Sequence, residues 1–323
     1  MESRINGLHH ITALAAHPQE NYDFYTRVLG MRLVKKTVNF DAPDVYHLYF
    51  ADEIGTPGTV LTFFPFPNAS RGVRGAGEAS AVLFAVPRGS LSFWIDRLRS
   101  KGIEFRAGER SFGREYIGFE DPEGMRLEIV EDDVAHLPGW ETEDVTREHS
   151  LRKFFGTRVL VSNDEGTKKL IVDDMGFEFL GREGALDRYT AGEGDHRVYF
   201  DVEVDPKAPR ARQSAGSIHH IAWRTENDES QQFWLQRLRS KGYSITSVID
   251  RNYFHSVYYR EPGGVLFEIA TDNPGFTVDE ALQELGMNLK LPSQYEPHRE
   301  QIEKVLIPLD QRQASTQAAE AVQ

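Results

Sequence analysis

Short apolar runs separated by turn residues recur along the chain, and several are followed by a helix-like pattern that ends at a glycine. The clearest self-similarity lies between residues 93–102 and 233–242, which share Phe-Trp and, further on, Arg-Leu-Arg-Ser-Lys-Gly. The same offset places Glu128 on Glu268, each inside an apolar strand-like run. Self-similarity at a fixed period indicates a duplicated structural unit.

Two weaker copies of the unit complete the chain. Each copy opens with a strand, continues with a helix and ends with short strands; the copies start near residues 8, 80, 158 and 217. Helices are predicted at 18–29 and 164–175, each closed by a glycine. The predicted fold is α+β, with four βαβββ modules in two domains. We place the domains at 1–140 and 153–271, with a linker at 141–152 and a C-terminal extension at 272–323.

Two histidine pairs stand at the start of strand-like runs in copies one and four. They are His9-His10 and His219-His220, and a lone carboxylate, Glu268, lies in a late strand of the fourth copy. Two imidazoles and one carboxylate form the facial triad that holds a divalent metal and leaves coordination positions open. The sequence therefore predicts a metal site built from copies one and four.

Strand alternation predicts which histidine of each pair faces the site. The apolar residue after each pair suits the face that packs against the helices, and it shares that face with the first histidine of the pair. His10 and His220 are therefore predicted to point away from the helices, into the same concavity as Glu268.

Turn alignment predicts the fourth corner of the site. Aligning the Pro-Gly turns of copies one and four places Phe63 at the position of Glu268, so three protein ligands remain, as in catalytic metal sites. In copies two and three, Leu83 and Arg158 stand near the ligand-histidine positions. Glu128 is expected to pair with Arg158 there.

Composition restricts the classes of protein. The 323 residues, 40% of them hydrophobic, can build two domains with ordinary cores. A net charge of −13 argues against nucleic acid or an anionic membrane as partner, and the absence of cysteine excludes disulfides and thiolate metal sites. Because no secretory signal or membrane-length apolar run is present, we expect a cytoplasmic protein.

Apolar stretches in the C-terminal extension suggest that it docks on the body of the protein or on a second subunit of a homo-oligomer.

The order and spacing of these motifs resemble the vicinal-oxygen-chelate superfamily. Within it, the chain is most similar to extradiol-type ring-cleaving dioxygenases of the hydroquinone branch, the chlorohydroquinone 1,2-dioxygenase type. The segments that carry the likeness are Leu-His-His-Ile-Thr at 8–12, Tyr-His-Leu-Tyr-Phe-Ala-Asp at 46–52, Gly-Thr-Pro-Gly-Thr at 55–59, Ile-His-His at 218–220 and Arg-Glu-Pro-Gly-Gly-Val-Leu-Phe-Glu at 260–268. The resemblance implies two glyoxalase/extradiol-dioxygenase-type domains with open curved sheets.

The resemblance also implies a chemistry. It implies Fe(II) held by His10, His220 and Glu268, with a small aromatic diol and O2 as substrates. Mn(II) is an alternative, because the same ligands accept either ion. The residues implied to act around the metal and the diol are His9, Thr12, His219, Arg251 and Tyr258.

Two other functions compete with ring cleavage. A glyoxalase-type metal-dependent lyase or isomerase on the same fold uses four protein ligands and needs no O2. A binding module of the antibiotic-sequestering kind keeps the pocket and loses the metal. The predicted set of three ligands favours the dioxygenase over both. The ring substituents and the oligomeric state stay open.

Overall fold

The computed structural model describes residues 3–311 and contains the four predicted βαβββ modules. The first module comprises β1 (Leu8–Ala15), α1 (Pro18–Asp23), β2 (Arg32–Asn39), β3 (Ala42–Ala51) and β4 (Val60–Pro65). The second comprises β5 (Glu78–Pro87), α2 (Leu91–Ser100), β6 (Phe105–Ser111), β7 (Arg114–Glu120) and β8 (Arg126–Asp132).

The second half of the chain repeats this order. The third module comprises β9 (Lys153–Val161), α3 (Glu165–Lys168), β10 (Glu178–Glu183), β11 (Leu186–Ala191) and β12 (Val198–Val204), with a short 3₁₀ turn at Gly194–His196. The fourth comprises β13 (Ile218–Thr225), α4 (Asp228–Ser240), β14 (Ile249–Asp250), β15 (Phe254–Arg260) and β16 (Leu266–Pro274).

Two of the module helices end in π-helical turns. Helix α1 continues as Phe24–Val28 and α3 as Lys169–Asp174. A glycine with positive φ follows each turn, Gly30 at 67° and Gly176 at 80°. Glycine adopts this conformation without a steric cost, so the predicted helix ends are confirmed.

The modules combine into two eight-stranded curved sheets. The first has the order β14-β15-β16-β13-β1-β4-β3-β2 and joins module four to module one through antiparallel β1 and β13. The second has the order β10-β11-β12-β9-β5-β8-β7-β6 and joins module three to module two. The predicted pairing of copies one and four is thus confirmed. Each sheet draws four strands from each half of the chain. The division into domains at 1–140 and 153–271 with a linker at 141–152 therefore stays a prediction, which describes the two duplicated halves of the sequence.

One face of each sheet packs against the helices. Ile11, Trp223 and Phe267 of the first sheet are fully buried in this core, together with Trp94 and Trp234 of the repeated helix segments. The Phe-Trp repeat is therefore explained by packing. The opposite face of the first sheet carries the histidine pairs and is left for the site.

The C-terminal extension covers part of that opposite face. It contains three 3₁₀ turns (Phe276–Val278, Leu282–Glu284 and Glu296–His298) and α5 (Arg299–Val305). Phe276 and Leu285 are buried in a cluster with Tyr49 and Phe254 of the sheet, so the extension docks on the body. Residues 312–323 of the predicted extension lie outside the described residues. Among the residues described, no helix is both long and apolar enough to cross a membrane.

Candidate metal centre

Three side chains converge on the concave face of the first sheet. His10 lies on β1, His220 on β13 and Glu268 on β16, and their candidate ligand atoms all lie within 4.8 Å of one another. The residues are 2%, 5% and 0% exposed. The structure therefore brings together the three residues that the sequence proposed as ligands.

The spacing of the ligand atoms fits a single metal ion. Glu268 Oε2 lies 2.9 Å from His220 Nε2 and 3.3 Å from His10 Nε2, and the two Nε2 atoms are 3.3 Å apart. Ligands bound at about 2.1 Å in cis positions of an octahedron lie about 3.0 Å apart. Among the described residues, buried Oε2 has no hydrogen-bond partner that satisfies it. These donors fit a divalent metal.

Glu268 is held as a carboxylate. Burial alone would raise the pKa of Glu268, but attraction to His10 and His220 dominates and lowers its pKa well below the usual range. Its second oxygen accepts a short hydrogen bond from Ser256 Oγ. Ser256 therefore fixes the rotation of the carboxylate and leaves Oε2 directed at the two imidazoles.

Two β-bulges place the first histidine of each pair. The register between β1 and β13 shifts between Leu8 and His10 and again between Thr12 and Ala13, so His9 and His219 are the extra residues. A bulge redirects the side chain of its extra residue. The predicted helix-side orientation of these two residues is therefore wrong. His9 Nδ1 lies 2.9 Å from His10 Nδ1, and His219 Nδ1 lies 2.7 Å from His220 Nδ1.

Burial keeps the two bulge histidines neutral. It lowers the pKa of His9 well below its usual value and lowers the pKa of His219 to about 3. A neutral imidazole can accept the Nδ1–H of the neighbouring ring, which leaves the Nε2 lone pair of that ring free for a metal. The Nδ1 contacts of His10 and His220 thus suit metal ligands.

The fourth corner of the site differs from the prediction. Ala222 is opposite Glu268 in the parallel pair β13–β16, whereas Thr12 is opposite Thr62 in the pair β1–β4. Thr62, not Phe63, therefore corresponds to Glu268, because the Pro-Gly turn before β16 is one residue longer than the turn before β4. The corner carries a hydroxyl rather than an apolar group. The first module still supplies no carboxylate.

Arg251 and Tyr258 lie together beside the ligands. Arg251 Nε donates to the Tyr258 hydroxyl over 3.2 Å, and the Tyr258 ring is 5.7 Å from the His220 ring. Burial and the nearby Glu268 carboxylate raise the pKa of Tyr258, so its hydroxyl stays protonated. Both residues, like His219, are only half-buried and mark the side where the centre reaches solvent.

The second sheet keeps carboxylates at the equivalent place but has no histidines. Its register puts Ala81 and Gly156 at the two ligand-histidine positions, where the sequence alignment had placed Leu83 and Arg158. Arg158 binds Glu128 through contacts of 2.8 and 3.2 Å, as predicted. Arg188 likewise binds Asp201 through two contacts of 2.7 Å. Arginine charges thus occupy the second concavity.

Sequence reasoning missed two residues at the centre. Ser256 binds Glu268, and the ring of Phe254 lies 5.0 Å from the His9 ring and 4.8 Å from the His10 ring. Both precede Tyr258 by an even number of positions on β15. The alternation of strand side chains could therefore have identified them once Tyr258 was chosen.

Curved sheets of paired βαβββ modules, with candidate ligands drawn from two modules, define a class of protein. The family model of the glyoxalase/bleomycin resistance protein/dioxygenase superfamily matches residues 7–129 and 155–269. The chain belongs to this superfamily.

Known relatives extend over nearly the whole chain. A Bacillus subtilis protein provisionally named ring-cleaving dioxygenase MhqO is 46% identical, over 97% of this chain and 99% of that one. The chlorohydroquinone/hydroquinone 1,2-dioxygenase of Sphingobium indicum is 35% identical, over 94% and 96%. The crystal structure of a provisionally named dioxygenase from Bacillus subtilis superposes with a TM-score of 0.92 at 45% identity, covering 95% of this chain and 98% of that one. The chain is therefore a homologue, over nearly the whole of the aligned lengths, of proteins named as ring-cleaving dioxygenases.

Proposed function

We propose that this protein is a non-haem Fe(II)-dependent, extradiol-type ring-cleaving dioxygenase that acts on a hydroquinone or a related dihydroxy-aromatic with O2. The observation that carries the proposal is the set of three protein donors with Thr62 at the fourth corner. Such a set leaves positions open for two exogenous ligands. The names of the relatives support the diol substrate. Mn(II) fits the same donors and is the alternative ion.

The protein would orient the side chains that hold the metal. Bound Fe(II) would bring an ionised diol and O2 together and let electron density pass from the ring to oxygen. Neutral His9 and His219 hold the ligand imidazoles in one tautomer, and Ser256 holds the carboxylate. O2 is the oxidant and both its atoms enter the product as a carbon–carbon bond breaks beside a hydroxylated carbon, so no external reductant is needed.

The half-buried side of the centre suits the second hydroxyl of a para-diol. This hydroxyl points away from the metal because it lies across the ring. Tyr258 can donate a hydrogen bond to it, and so can neutral His219 through its Nε2–H, because its Nδ1 accepts from His220. Arg251 can stabilise negative charge on its oxygen. Thr12 is paired with His220 in the strand register, and its hydroxyl contacts Thr62.

Oxygen uptake tests the proposal. Anaerobically purified, Fe(II)-loaded protein is given hydroquinone, with catechol and the methylglyoxal–glutathione adduct as parallel substrates. We expect uptake that is stoichiometric with hydroquinone and is lost in Glu268→Gln. Uptake with catechol alone would contradict the para-diol assignment. Turnover of the glutathione adduct without uptake on any diol would replace the proposal with the lyase.

A further inference from the structure

The fourth corner of the metal centre carries a chain of hydrogen bonds that the proposed function does not use. Thr12 Oγ1 lies 2.9 Å from Thr62 Oγ1, which lies 2.8 Å from His47 Nε2. His47 Nδ1 in turn lies 2.8 Å from the Tyr49 hydroxyl. Thr12, Thr62 and Tyr49 are at most 1% exposed, whereas His47 is half-buried. This hydrogen-bond chain leads from β1 through β4 to β3.

The donor and the acceptor of most contacts in this hydrogen-bond chain can be assigned. A phenol has one hydrogen, and burial raises the pKa of Tyr49 well above its usual value, so Tyr49 donates to His47 Nδ1. His47 then carries its hydrogen on Nε2 and donates to Thr62. Because Thr62 Oγ1 accepts this bond, its own hydrogen is available to Thr12 or to a ligand.

The position of Thr62 indicates a role for this hydrogen-bond chain. Thr62 corresponds in register to Glu268, so it stands where a fourth protein ligand would originate. The threonine side chain is shorter than that of glutamate, and it lacks the carboxylate that would reach a metal. An exogenous oxygen that fills this gap therefore meets a hydroxyl that accepts from His47 and has its own hydrogen left to donate.

We propose that Thr62 donates a hydrogen bond to the diol oxygen at the fourth corner, and that His47 and Tyr49 are positioning residues that orient the Thr62 hydroxyl. This rests on the proposed function, because the oxygen is that of the bound diol. The ring of Phe64, 4.2 Å from the His47 ring, packs beside the chain and limits the movement of the imidazole.

Anaerobic binding separates this role from structural support. Hydroquinone is titrated without O2 into Fe(II)-loaded wild type, Thr62→Val, Thr62→Ser and His47→Phe, and kcat and KM are then measured in air. Thr62→Val preserves shape and removes the hydroxyl, whereas Thr62→Ser retains it. His255→Gln is the matched control, because His255 binds Asp228 at the start of α4.

We expect iron content and the melting temperature to stay near wild type in all variants. Diol affinity and kcat/KM should fall about 10–100-fold in Thr62→Val and His47→Phe, with Thr62→Ser and His255→Gln near wild type. Wild-type uptake with an unaffected Thr62→Val would overturn this inference and leave the proposed function standing. A wild type that neither binds nor oxidises the diol would overturn both.

Discussion

Neighbouring histidines on one strand normally face opposite sides of a sheet, yet here both rings of each pair contact each other. The bulges at His9 and His219 achieve this, and they occur in the pairing of two strands that are about 200 residues apart in the chain. The residue types and their alternation were enough to predict His10, His220 and Glu268 as a set. The bulges could not be predicted, because they depend on how β1 and β13 meet.

The single-residue error at the fourth corner has a similar origin. Matching the Pro-Gly turns assumed equal turn lengths, but the turn before β16 holds one more residue than the turn before β4. In a strand, a shift of one residue moves a side chain to the other face. Phe63 consequently lies in the core beside Tyr25, with ring centres 4.5 Å apart, and Thr62 faces the site.

A buried carboxyl outside the site gives a prediction about pH. Asp121 accepts hydrogen bonds from the Tyr25 hydroxyl and from backbone N–H groups, and burial raises its pKa from 3.8 to about 6. The folded state therefore holds a proton that the unfolded state has lost between these values. This contribution to stability is fully present below pH about 4 and is lost as the pH rises through about 6.

The variant Asp121→Asn should remove this dependence. From pH 4 to 7 the free energy of unfolding of wild type should fall relative to the variant by up to about 3 kcal/mol, measured by urea denaturation at each pH. Parallel curves for the two proteins would show that Asp121 does not carry a raised pKa.

At the scale of elements, the repeated segment of α2 and α4 has a second role besides packing. Arg97 donates to the carbonyls of Arg27 and Val28 at the end of the first π-helical turn, at 2.8 and 2.7 Å. Arg237 donates in the same way to the carbonyls of Asp173 and Asp174. Both arginines satisfy carbonyls that a helix end leaves without partners. The sequence predicted the helices and their glycine ends, but not the π turns, which have no sequence pattern of their own.

Loss of Arg97 should therefore destabilise the packing of α2 on the first module. Arg97→Leu leaves buried carbonyls without donors, and we expect a cost of about 3 kcal/mol in the free energy of unfolding. Arg99→Ala on the same helix is the control, because the Arg99–Asp96 pair is exposed and contributes little. Equal stability of the two variants in urea would contradict the capping role.

At the scale of the whole molecule, each sheet combines modules from both halves of the chain, and the two concavities have diverged. One holds three metal-type donors, and the other holds Arg158–Glu128 and Arg188–Asp201 pairs. The module pairing could be predicted, because the ligands had to meet. The docking of the C-terminal extension over the first concavity could not be predicted, because it depends on contacts between Lys35 and residues more than 240 positions away.

Lys35 should hold the extension on the sheet. Its ammonium group is fully buried, lies 2.6 Å from Asp279 Oδ1 and makes a short contact with Glu280. Lys35→Met leaves buried Glu280 without its cation, and we expect a loss of about 3 kcal/mol in stability. Limited proteolysis should cut the variant faster within 276–311. The exposed Lys304→Met is the control, and equal cleavage of both variants would argue against the contact as an anchor.

We propose that the first sheet holds one catalytic metal and that the second holds none. Iron content after anaerobic Fe(II) loading and desalting tests it most directly, in wild type, Glu268→Gln and the matched Glu128→Gln of the second sheet. We expect about one iron per chain in wild type and in Glu128→Gln, and very little in Glu268→Gln. Iron retained in Glu268→Gln, or lost in Glu128→Gln while that variant stays folded, would contradict it.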